Sequence, residues 1–247
     1  MNEPQRIVLR QRRDLGQIVE ATIGLYTQNL APLLWIASVV IPLGIAGAAF
    51  QYAIDDPVAE AIVTGPIFLL QAVVSLLAAA AIIAALVEID AGRPADFSSA
   101  YDVAYARLWT LIGAILRVFV IVLLFAITII GIPLAIYRGV RWLFVEQAVI
   151  LDGTSARAAL AYSADGVQGS WWRTLGIVLL IGTITGIAAA IVKIPFAFAP
   201  PLLSGSVSAI VNAALLPFNA IALTLLYCDL QARRQELRSE PAAKEGT

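Results

Sequence analysis

Residues 61–87 read AIVTGPIFLLQAVVSLLAAAAIIAALV, without a single charge. A helix that crosses the hydrocarbon of a bilayer needs about 20 mostly apolar residues, and this run exceeds that length. Backbone N–H and C=O groups find no water in lipid, so a helix, which pairs them within one segment, is the form this stretch must take. It sets the fold class as α-helical and membrane-embedded.

Working outward, the pattern repeats. Residues 21–54, 118–137, 174–192 and 194–228 are also free of charge. The expected spans are residues 30–54, 61–88, 108–131, 173–198 and 207–228. A sixth segment, residues 133–150, follows the break Gly131-Ile132-Pro133 and contains Arg138, Arg141 and Glu146. Taken alone it is either a span or a helix lying on the surface.

Charge placement favours the span. With six crossings both termini share one side with the loops 89–107 and 151–173. That side then holds Arg6, Arg10, Arg12, Arg13, Arg93, Arg107, Arg157, Arg173, Arg233, Arg234, Arg238 and Lys244, twelve of the 16 basic residues. The loop from Asp55 through Asp56 to Glu60 has three acids and no base. The positive-inside rule then makes both termini cytoplasmic. The expected domain plan is a basic cytoplasmic tail over 1–13, one six-helix transmembrane domain over 14–229, and a polar cytoplasmic tail over 230–247.

Composition excludes several classes. Hydrophobic residues make up 60% of the 247 and charged residues 13%, against about 25% charged in soluble domains. Cys228 is the only cysteine, so no intrachain disulfide forms. The absence of histidine removes His general bases, His-ligated haem and His metal sites. Basic residues cluster at the ends and in short loops, not in a stripe, which argues against nucleic acid as a partner. The polar N-terminus and the long apolar run after it do not fit a cleavable signal peptide. Fourteen of the 16 basic residues are Arg, the bias of GC-rich codons and a pointer to a bacterial source.

A threefold pattern runs through the chain, in possible repeats 14–92, 96–152 and 154–229. Each outward-going span is preceded by a short amphipathic segment: 14–28, 98–107 and 154–165. In the first, Asp14 and Gln17 form a capping box, and Leu15, Ile18, Val19, Thr22, Ile23 and Tyr26 share a face at helical spacing. In the others Val103, Ala104, Leu108, Leu160 and Tyr162 are expected to turn towards apolar surroundings. Each segment leads to an interfacial aromatic, namely Trp35, Trp109 and the pair Trp171-Trp172. Each unit ends in an acid: Glu88 with Asp90, then Asp152, then Asp229. The expected fold is an all-α membrane protein with six transmembrane helices in three hairpins, each preceded by a cytoplasmic interfacial amphipathic helix. Parallel repeats of this kind are related by an axis along the membrane normal. The alternative is that caps, aromatics and charges gather at interfaces in any hairpin protein.

The third unit contains Ala159-Leu160-Ala161-Tyr162-Ser163, then Gly169-Ser170-Trp171-Trp172-Arg173-Thr174-Leu175-Gly176, and closes on Tyr227-Cys228-Asp229-Leu230-Gln231-Ala232-Arg233. With residues 15–42, these stretches resemble the bacterial membrane domain fused to some glycerophosphoryl diester phosphodiesterases, and its stand-alone relatives. The resemblance covers nearly the whole chain and departs at Gln231, where the pattern carries a basic residue. It implies a stand-alone membrane domain. The family's phosphodiesterase is a separate soluble barrel that uses His and metal-binding carboxylates, and this chain contains no His.

The charges inside expected spans are Arg117, Arg138, Arg141, Glu146 and Lys193. A central Arg or Lys costs roughly 2.5–3.5 kcal/mol on insertion scales, so each needs a reason. Lys193 is near a span end and can snorkel. Arg138, Arg141 and Glu146 fall within about 140° on one helix, and Arg117 is expected to pair with Glu146 across the tight turn. The four residues Arg117, Arg138, Arg141 and Glu146 form the candidate polar cluster, either as an internal ion-pair network or as a polar path or anionic-headgroup site. Gly44 with Gly47, and Gly182 with Gly186, are expected close-packing points.

The functional expectation is a non-enzymatic inner-membrane protein that organises lipid or a membrane partner, with no catalytic residues, cofactor or metal. Membrane lipids are the expected partners, with a membrane protein or a second copy as further candidates. The alternative is a small transporter or channel built on the repeats, with its site at the four charges.

Overall fold

The computed structural model describes residues 9–54, 56–129 and 131–244, with side chains through 236 except those of Tyr52 and Pro57. Arg6 and Asp55, and the side chains of Arg238 and Lys244, therefore lie outside the described residues. Every regular element among these residues is helical.

The chain opens on α1 (Leu15–Gln28), then α2 (Leu30–Ala37), a single 3₁₀ turn (Ser38–Val40) and α3 (Ile41–Ala53). The long α4 (Pro57–Asp90) follows, then the short α5 (Phe97–Ala106), α6 (Leu108–Ala126), α7 (Gly131–Arg141) and α8 (Val145–Leu151). The last third holds α9 (Ala156–Val167), α10 (Trp171–Lys193) and α11 (Pro201–Lys244). Five stretches are long and apolar enough to cross a membrane: Leu30–Gln51, Val58–Asp90, Leu108–Ala126, Trp171–Phe196 and Pro201–Glu236. The chain is a multi-pass α-helical membrane protein.

The sixth segment is not one helix. It breaks at residues 142–144, between α7 and α8. The cause is a side chain inserted into the helical ladder, a recognised origin of kinks. The buried Ser163 hydroxyl of α9 accepts the Phe144 N–H at 3.1 Å and donates to the Arg141 carbonyl at 2.8 Å. Backbone groups freed by the break are thereby paired.

Consecutive long helices pack on one another. α3 packs on α4, α6 on α7 and α10 on α11. The short helices pack on long or broken ones: α5 on α4, α9 on α8, and α1 on α11. The third of these contacts joins the first helix to the last.

The Asp14–Gln17 capping box forms. The short helices turn only part of their apolar faces into the protein. α1 buries Ile18, Thr22 and Leu25, while Leu15 and Ile23 are exposed. α5 buries Ala100 and Ala104 and leaves Val103 outside. α9 buries Ala159, Ser163 and Val167, with Tyr162 exposed. Close approach to a neighbouring helix favours the small residues at these positions over the larger ones. Trp35, Trp109 and Trp172 are exposed.

The core lies towards one end. Ala78 and residues 80–86 of α4 are buried together with most of residues 220–230 of α11, whereas Ile62, Leu69, Leu124 and Ile191 are exposed. Towards the other end α3 and α11 touch through small residues. A Cβ on Gly44 would lie 2.7 Å from the Ala209 Cβ, and one on Gly205 2.4 Å from the Ala48 Cβ. This is an antiparallel small-xxx-small crossing. The expectation for Gly182 and Gly186 does not hold, since a Cβ at either meets nothing within 4 Å.

Candidate functional site

Two polar assemblies stand out, and neither is the expected cluster. The first is a hub at the densely packed end, where the three unit-ending acids meet residues 9–13. The Leu9 N–H donates to Asp90 Oδ1 at 2.9 Å, Arg10 Nη2 to Asp152 Oδ1 at 2.9 Å, and the Arg13 N–H to Asp229 Oδ1 at 2.8 Å. One short strap thus touches the carboxylate of every unit. Leu9 and Arg13 are themselves buried, and Arg13 Nη1 donates back to the Leu9 carbonyl at 2.9 Å.

Asp229 is fully buried. Its carboxylate also receives the guanidinium groups of Arg173 and Arg233. Both arginines donate to the Arg13 carbonyl as well, at 2.9 and 3.1 Å. Asp152 accepts the Tyr227 hydroxyl. A buried charge is tolerated when it is paired and its lone pairs are filled, and Asp229 meets both conditions.

The four charges singled out from the sequence do not assemble. Arg117 is exposed on α6, and its Nη1 donates to the Gly113 carbonyl one turn back at 2.7 Å. The expected Arg117–Glu146 ion pair is not formed, and the Glu146 carboxylate has no ion-pair partner among the described residues. Arg117 instead stays on the exposed surface of α6, whose buried residues are Leu111 and Ala114. Arg138 lies over the Trp142 ring at 5.5 Å and Arg141 over the Tyr137 ring at 5.6 Å. Arg141 Nε also donates to the Ala164 carbonyl at 3.4 Å. No hydrogen bond or ion pair joins any two of the four among the described residues.

The second assembly is a half-open cleft of about 520 Å³ between α3, α4 and α11. Its walls are apolar apart from Gln51, Gln71, Ser75, Ser208 and Asn212. Gln71 Nε2 donates to the Val40 carbonyl at 3.2 Å, while Gln71 Oε1 is buried and without a partner. An unpaired buried acceptor typically costs about 1–3 kcal/mol. At the rim, Lys193 Nζ donates to Asn212 Oδ1 at 2.9 Å.

The hub acids were visible in the sequence as unit ends, but the strap that joins them was not. The cleft was missed altogether. Its signal would have been the amides Gln71 and Asn212, interrupting otherwise apolar runs. Comparison with protein-family models, curated proteins and solved structures returned no match.

Proposed function

We propose that this chain is a non-enzymatic protein of the bacterial inner membrane that organises lipid, crossing the bilayer six times with both termini cytoplasmic. We place it with the stand-alone membrane domains related to those of glycerophosphoryl diester phosphodiesterases. Five stretches have the length and polarity to cross. The broken pair α7–α8 supplies a sixth in this reading, since α7 packs on α6 and the chain after α8 brings Asp152 to the same hub as Asp90 and Asp229. An even number of crossings is supported by the strap: residues 9–13 meet Asp229 of α11, and Arg12 pairs with Glu236. The basic residues on that side favour the cytoplasm.

The observation that carries the lipid reading is the cleft. It opens on the flank of helices that are apolar enough to cross a membrane, while the end of the bundle is filled by the buried Leu9 and Arg13. The transporter reading needs a polar path, and the four charges proposed for it are not joined. The test is purified protein in proteoliposomes beside native mass spectrometry. Ions and small solutes should leak no faster than from protein-free liposomes, and the protein should retain lipid. Rapid solute flux with no retained lipid overturns the reading.

A further inference from the structure

We propose that the small pocket between α7, the end of α9 and the start of α10 holds the phosphate group of an anionic membrane lipid, with Arg141 as its cation. This rests on the lipid-organising reading above and adds a headgroup and its place.

The pocket is lined by Tyr137, Arg141, Val167, Gln168, Gly169 and Trp171. Its volume of about 100 Å³ is room for roughly three water molecules at about 30 Å³ each. That admits a compact group such as a phosphate and excludes an acyl chain. Arg141 supplies the charge in the lining, and no carboxylate forms an ion pair with it among the described residues. Neither Glu146 nor Asp165, the acids closest in sequence, lines the pocket. The Arg141 Nε is taken by the Ala164 carbonyl. Its Nη groups have no hydrogen-bond partner among the described residues and are not buried. They are within reach of a ligand, and as donors on a cation they call for an anionic acceptor. A guanidinium offers phosphate a pair of parallel N–H bonds. The exposed Gln168 adds an uncharged amide donor to the same lining.

The cation is held in place before any ligand arrives. Its Cζ lies over the Tyr137 ring at 5.6 Å, and that ring lies 5.8 Å from the Trp171 ring. Trp171 Nε1 donates to the Tyr137 carbonyl at 3.2 Å. A pre-positioned group loses less freedom on binding. Placement points to a lipid as the source of the phosphate. Trp171 is two residues before Arg173, whose guanidinium is on Asp229 in the hub, so the pocket is at the hub end of the bundle. In the topology proposed above that end faces the cytoplasm, whose leaflet carries anionic lipid. Ile136 and Trp172, chain neighbours of two lining residues, are exposed and apolar, which gives acyl chains a surface beside the headgroup.

The experiment is a native mass spectrometry titration of the full chain in detergent. The probes are dioleoylphosphatidylglycerol, dioleoylglycerol, which lacks the phosphate, and inorganic phosphate. Dioleoylphosphatidylglycerol should fill one site about tenfold more tightly (about 1.4 kcal/mol) than dioleoylglycerol. Arg141→Gln should erase that preference. Arg141→Lys should restore only part of it, since an ammonium cannot make the bidentate contact. Gln168→Glu, a change at an exposed position, should weaken phosphatidylglycerol binding by placing a carboxylate beside Arg141. Arg117→Gln, outside the pocket, should keep the preference whole. If Arg141→Gln does not fold, Gln168→Glu decides alone. Equal binding of the two lipids overturns the proposal. So does a preference that survives both Arg141→Gln and Gln168→Glu, or one lost equally in Arg117→Gln. Displacement of the lipid by an equimolar amount of inorganic phosphate also overturns it, by assigning the pocket to a soluble anion. Retained lipid without a preference for the phosphate defeats this inference but leaves the lipid-organising reading standing. Solute flux with no retained lipid defeats both.

Discussion

Asp229 accepts the Arg13 N–H and the guanidinium groups of Arg173 and Arg233 while fully buried. Removing one partner of such a set leaves an uncompensated charge, typically at a cost of about 3–5 kcal/mol. Asp229→Ala should therefore lower thermal stability in detergent by that order. Arg117→Met should stay within about 0.5 kcal/mol, as exposed substitutions do, because its bond to Gly113 joins no other element. A destabilised Arg117→Met beside a neutral Asp229→Ala would reverse the ranking drawn here. The acids themselves were legible, since Asp90, Asp152 and Asp229 end three similar segments. The strap was not, because residues 9–13 are polar and lack apolar periodicity. The partner of Arg13 lies 216 positions away, and no local pattern encodes so distant a choice.

At the scale of elements, spans were readable wherever apolar length alone decides the outcome. The segment after α6 was ambiguous because its break depends on a side chain from another helix. Ser163→Ala should leave the Phe144 N–H and the Arg141 carbonyl without the hydroxyl between them. The expected loss is about 1–3 kcal/mol, read by thermal unfolding, and an unchanged midpoint would mean that the break does not need Ser163. The α3–α11 crossing makes a second prediction. Gly205→Leu should destabilise strongly, since even a Cβ would come within 2.4 Å of the Ala48 Cβ, whereas Gly176→Ala meets nothing and should be neutral. The join of α5 to α2 depends on pH. The Tyr101 hydroxyl donates to the Ile36 carbonyl at 2.8 Å, and burial pushes its pKa up to about 12. A folded pKa above the unfolded value of about 10 means that this stabilisation is complete below pH 10 and is lost as pH rises towards 12. Phenolate absorbance against pH, compared with Tyr101→Phe, should show one tyrosine titrating late.

For the molecule as a whole, the packing of α1 on α11, α5 on α4 and α9 on α8 brings three segment ends to one place, and residues 9–13 fill it. The short helices could be read from their caps and the acids from their places at segment ends. How the helices pack on one another could not, because it rests on small buried residues such as Ala100, Ala104 and Ala159, which carry little periodic signal. The account stands on an even number of crossings, with the hub on the cytoplasmic side. Its most direct test is cysteine labelling of intact cells in a Cys228→Ala background, with single cysteines at the exposed positions Gln11, Val58 and Gln235. A membrane-impermeant maleimide should label Val58→Cys from outside and reach Gln11→Cys and Gln235→Cys only after permeabilisation. Labelling of Gln11→Cys and Gln235→Cys on opposite sides of the membrane would contradict it.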